Sequence, residues 1–76
     1  MMSEYRITFT WDNEAFVWIA TSEDIHGLIL EHSSFDTLVE RVRQAVPELL
    51  SLEGRDCDNI ALDYGMFRKE RLATSG

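Results

Sequence analysis

From Tyr5 to Trp11 the chain alternates: Tyr5, Ile7, Phe9 and Trp11 fall on one face, Arg6, Thr8 and Thr10 on the other. A period of two in β-branched and aromatic residues predicts a half-buried strand. Asp12-Asn13-Glu14 interrupts the pattern, and Ala15–Thr21 (AFVWIAT) resumes it as a second strand. So short a break predicts an antiparallel hairpin. An even loop sets Trp11 against Phe16 and Phe9 against Trp18, whereas an odd one puts Val17 and Ile19 on the Trp11 face. Both faces of the second strand are apolar, which predicts a central position or cover from two sides, by a helix and by a second subunit. Ser22–Gly27 is a turn by composition, and Leu28 to Glu31 or His32 is a third, shorter strand.

The next segment changes period. Phe35, Leu38, Val39, Val42, Val46, Leu49 and Leu50 recur at steps of three and four and predict one amphipathic helix. Ser33 or Ser34 is its cap, and Asp36 stands three residues after Ser33, close to a capping-box spacing. Pro47 is expected to kink the helix or start a second short turn, and Gly54 to stop it. After the polar loop Arg55–Asn59, alternation at Ile60, Leu62, Tyr64 and Met66 predicts a fourth strand, and the tail from Arg68 is expected to fray. The fold class is therefore α+β, in the order β-β-β-α-β: a small, largely antiparallel sheet with one helix packed on one face. One domain spans residues 1–76, with its core at about 4–67.

Size and charge narrow the function. A chain of 76 residues buries only about 60–65% of its unfolded surface, so self-association, as a dimer, is an expected source of stability. Cys57 is the lone cysteine, which excludes an intrachain disulfide and fits a reducing cytoplasm. No apolar run approaches the roughly 20 residues of a membrane span, and the N-terminus does not read as a signal peptide. The net charge is −7, and residues 1–37 hold seven acids against one base, Arg6. That half repels phosphates and attracts a basic partner, so direct nucleic-acid binding is not expected.

WDNEAFVWIATSEDIHGLILE, with Trp11, Asp12, Glu14, Ala15, Val17, Trp18, Ala20, Ser22, Asp24, Gly27, Leu28 and Glu31, resembles the signature of HicB-like domains. These are the toxin-neutralising halves of bacterial toxin–antitoxin pairs. A capped helix ending in Val46-Pro47-Glu48-Leu49-Leu50 extends the resemblance, which covers about residues 5–52. It implies a partial ribonuclease-H-like fold without nuclease activity, binding a small basic HicA-like mRNA interferase of double-stranded-RNA-binding-domain type and blocking RNA cleavage. Two departures from the family bear on this expectation: His26 stands where proline often precedes the glycine, and the C-terminal DNA-binding segment many members carry is not expected to act in this chain. The acidic positions expected to meet the partner are Asp12, Glu14, Glu23, Asp24 and Glu31.

Catalytic alternatives are weaker by pattern. Two-metal nuclease chemistry needs carboxylates converging on ions roughly 4 Å apart, and no acid lies between Ala15 and Thr21 on the second strand. His26 and His32 are not in ligand spacing, and Asp56-Cys57-Asp58-Asn59 lacks the glycine and terminal glutamate of a calcium loop. Cys57 has neither an adjacent histidine nor a second cysteine, which makes it a poor nucleophile. No cofactor, no metal and no enzymatic activity are expected. An orphan homo-oligomer without a toxin partner is the alternative within the binding class.

Overall fold

The computed structural model describes residues 3–73, in which β1 (Ser3–Asp12), β2 (Val17–Thr21), β3 (Ile29–His32), α1 (Phe35–Leu52) and β4 (Ile60–Phe67) follow in order. The four strands form one sheet in the order β3-β2-β1-β4. β1 is antiparallel to β2, and β2 to β3, whereas β4 joins the far side of β1 in parallel. Parallel neighbours cannot be joined by a tight turn. The helix supplies the crossover, carrying the chain from one edge of the sheet to the other. The expected β-β-β-α-β order and one-sided helix are both present.

The hairpin differs from expectation in one respect. Its four-residue turn is even, and Trp11 and Trp18 share a face, but Trp11 pairs with Trp18 and Phe9 with Ala20. The strand begins two residues later than the apolar run, because Ala15 and Phe16 belong to the turn. Phe16 has a φ of 56° and is 68% exposed. Asp12 holds that turn: its Oδ1 accepts from the Glu14 and Ala15 amides at 2.9 and 3.2 Å, and its carbonyl accepts from the Phe16 amide at 2.9 Å. A carboxylate mimicking a backbone acceptor stabilises this bend better than further β pairing would.

Ser34, not Ser33, caps α1, and its Oγ accepts from the Thr37 amide at 3.3 Å. Thr37 thus occupies the position a capping-box acid would need, and Asp36 instead lies within the first turn, where negative charge is favoured. The helix runs through Pro47 as one element. At its end the Arg55 amide donates to the Leu50 carbonyl and the Gly54 amide to the Ser51 carbonyl, at 2.9 and 3.0 Å. This reciprocal closure needs a left-handed residue, and Gly54 supplies it at a φ of 71°.

The core lies between α1 and one sheet face. Leu38, Val42, Val46 and Leu50 from the helix meet Ile7, Phe9 and Ala20 from the sheet, all fully buried. Ile25 and Leu28, from the β2–β3 loop, close the end of this layer. A run of edge-to-face aromatic contacts crosses it, from Trp11 to Trp18, Phe35, Phe9 and Tyr64, with centroids 4.9–5.4 Å apart. The helix lies nearest β3 and β2. β1 and β4 carry half-buried Tyr5, Ile60 and Leu62 toward its flank.

The segment after β4 is irregular but attached. The Arg68 guanidinium lies 4.6 Å from the Trp11 ring centroid, and the Asn13 side-chain amide donates to the Lys69 carbonyl at 3.4 Å. The frayed end expected at the C-terminus lies, from Thr74 on, outside the described residues. In urea denaturation, Leu38→Ala should cost about 2–5 kcal/mol through loss of packing, and Ser34→Ala about 1 kcal/mol through loss of the cap.

Candidate functional site

Strand alternation gives the sheet a second face that no other element of the described chain covers. Arg6, Thr8 and Thr10 of β1 present there, beside Val17, Ile19 and Thr21 of β2. Ile29 and Glu31 extend the face at the β3 edge, and Asp63 and Phe67 at the β4 edge. Thr8, Val17, Ile19 and Thr21 in its middle are uncharged and half-buried, whereas Arg6, Thr10, Ile29 and Phe67 are exposed.

The expected acidic residues divide by position on this frame. Asp12 and Glu14 lie at the hairpin turn, Glu23 and Asp24 beyond the opposite end of β2, and Glu31 on β3 opposite Ile19. The structure therefore does not gather the five into one cluster. Among the described residues no group of three or more histidines, cysteines or acids is arranged to hold a metal ion.

Two of the five have structural duties. β2 stops pairing at Thr21, and side chains of the following loop take over the backbone of Arg6. Asp24 Oδ2 accepts from the Arg6 amide at 2.7 Å, and Ser22 Oγ donates to the Arg6 carbonyl at 2.6 Å. Ser22 Oγ also accepts from the Asp24 and Ile25 amides, and Arg55 donates to the Asp24 carbonyl at 2.9 Å. The loop is thus stitched to both β1 and the helix end, which fixes Ile25 in the core. Asp24 acts here as Asp12 does at the hairpin, as an acceptor for main-chain amides. Glu14, Glu23 and Glu31 remain as exposed carboxylates.

Near the Asp24 end, Arg6, Thr8, Thr21, Glu23 and Asp24 line an open depression of about 400 Å³. The Arg6 guanidinium is committed to Asp63 across the β1–β4 pair, at 2.8 Å. That hydrogen bond first, and the Asp63 charge second, hold Arg6 above its ordinary range, so it stays charged wherever the protein is folded. The pair is solvent-exposed and contributes little to stability. Its effect is to leave the acids at this end without a strong internal cation. The pair was hidden in the sequence because Arg6 and Asp63 meet only through the β1–β4 register.

His32 and Cys57 make local contacts. His32 Nδ1 accepts from the Ser34 amide at 2.9 Å, shaping the approach to α1. His26 is an exposed turn residue beside Gly27, whose φ is 86°. The Cys57 thiol donates to the Pro47 carbonyl at 3.3 Å. No described helix is long and apolar enough to cross a membrane.

A family model described as a domain of unknown function, DUF1902, matches residues 4–71, and the chain belongs to that family. The fold is similar to the crystal structure of a hypothetical protein from the extremely thermophilic bacterium Thermus thermophilus. The two share 28% identity and a TM-score of 0.70, over 93% of this chain and 99% of the other. No curated protein matches the chain.

The division among the acids is testable by denaturation. Asp24→Ala should cost about 1–3 kcal/mol, because it removes the charged acceptor of the Arg6 amide. Glu23→Ala, one residue away, should stay within about 0.5 kcal/mol of the parent.

Proposed function

We propose that this member of the DUF1902 family is a HicB-like, antitoxin-type binding domain that occludes a small basic HicA-like mRNA interferase and has no catalytic role of its own. The observation that carries the reading is the uncovered sheet face, uncharged along Val17, Ile19 and Thr21 of β2 and bordered by Glu23 and Glu31. Such a surface offers apolar contact area for desolvation together with a negative rim that steers a cationic partner toward it. The surplus of acids in the first half of the chain acts in the same direction. In this reading the protein works stoichiometrically in the cytoplasm, without a cofactor.

Of the five acids first assigned to the contact, Glu14, Glu23 and Glu31 are the ones with charge to spare for a partner. Asp12 and Asp24 instead keep the hairpin and the β2–β3 loop in the shape that presents them. A second reading, an orphan self-associating domain, is favoured by a different observation: Met66 and Phe67 expose apolar side chains at the opposite edge.

The test is affinity purification of the tagged full chain from its own host, with mass spectrometry of co-eluting proteins. The expected result is one small basic protein at equal stoichiometry, released by salt. Glu23→Lys combined with Glu31→Lys should then slow association about tenfold at low ionic strength while leaving the melting temperature unchanged. Recovery of the chain alone, or an association rate indifferent to the double substitution, would refute the proposed surface.

A further inference from the structure

β4 is the longer of the two edge strands, eight residues against four in β3. Its inner side is satisfied by β1 from Ser3↔Ile60 to Thr10↔Phe67. Its outer row of amides and carbonyls has no partner strand among the described residues. Long edges are normally protected by lysine, proline, a bulge or a covering element. β4 has no lysine or proline, and its one charge, Asp63, is engaged by Arg6. The helix lies over the other half of the sheet, so on its side of β4 Tyr64 is partly open and Met66 is 60% exposed.

We propose that β4 pairs with β4 of a second copy of this chain, joining two sheets into one of eight strands with both helices on the same face. A two-fold axis perpendicular to the sheet makes the pairing antiparallel and sets like-facing residues opposite each other. With the axis at Tyr64, Leu62 faces Met66 of the second copy, Ala61 faces Phe67, and Asp63 faces Gly65. Tyr64 then meets its own copy as an aromatic pair, the other large side chains stand opposite small or flexible ones, and no two carboxylates are opposed within the strand. An axis at Asp63 would set two carboxylates against each other, which is unfavourable.

Charge outside the strand selects the same arrangement. Each β4 is preceded by a loop in which Asp56 and Asp58 outnumber Arg55 and followed by a segment in which Arg68, Lys69 and Arg71 outnumber Glu70. Antiparallel pairing brings the basic segment of one copy beside the acidic loop of the other, twice in each dimer. The second copy is thus the occupant whose shape, apolar content and charge the edge itself specifies. Pairing at this edge is independent of toxin binding: it leaves the uncovered sheet face free, and its test uses no partner.

Light scattering on the full-length chain at about 100 µM should give twice the 8.8 kDa chain mass. Met66→Lys, which adds a charge at an exposed edge position, should give a monomer that keeps its circular dichroism and cooperative melting. Should that variant fail to fold, Lys69→Glu combined with Arg71→Glu decides the matter at exposed tail positions, where the dimer dissociation constant should rise about tenfold or more at low salt. A monomeric parent protein, a folded Met66→Lys variant that remains dimeric, or a dissociation constant unmoved by the tail reversal would each overturn the proposal.

Discussion

One helix has to seal one face of a four-stranded sheet, and it is too narrow to do so. A helix with its side chains is about 10–12 Å across, whereas strands lie about 4.8 Å apart, so a single helix shields little more than two of them fully. Here it lies nearest β3 and β2. The fully buried sheet residues Ile7, Phe9 and Ala20 lie on β1 and β2, and burial declines along β4 toward Met66 and Phe67. The aromatic run from Trp18 through Phe35 and Phe9 to Tyr64 extends the core past the helix flank, because large rings reach where the helix does not. The opposite sheet face has no cover from the described chain at all. Both proposed interactions follow from this shortage of covering structure.

The elements themselves were legible because each carries its own period. Alternation at Tyr5–Trp11 and Ile60–Met66, and three-four spacing from Phe35 to Leu50, are statements about one segment at a time. Errors arose where a local acceptor outcompeted the pattern. Phe16 continues the apolar run of the second strand, yet the Asp12 carboxylate and carbonyl bind the next amides and pull it into a turn. The cap was legible as Ser33 or Ser34, and it is Ser34, with His32 receiving the Ser34 amide just before it. Pro47 starts no separate turn, and α1 runs through it as a single element. What no local pattern could reveal was the partnership of β1 with β4, and with it the Arg6–Asp63 pair.

The same distinction applies to the candidate site. Charge counting located the acidic half of the chain but did not separate acids that hold the backbone from acids that face solvent. Asp12 and Asp24 are binding-site candidates by composition and main-chain acceptors by geometry. Ser22, Asp24 and Gly27, three positions of the sequence motif, are accounted for by the loop that locks Ile25 and Leu28 beneath the helix. That part of the motif is a requirement of the fold. Glu14, Glu23 and Glu31 have no such duty, and it is to them that a functional interpretation attaches.

Residue-resolved amide hydrogen exchange of the full-length chain tests the central claim most directly, because it reads the outer edge of the sheet without any substitution. If the uncovered edge is completed by another chain, alternate β4 amides between Ile60 and Phe67 that point away from β1 will be protected at high concentration and will lose that protection on dilution. Fast exchange at those amides at every concentration, beside slow exchange in β1, would show that the edge stays open and would contradict the account.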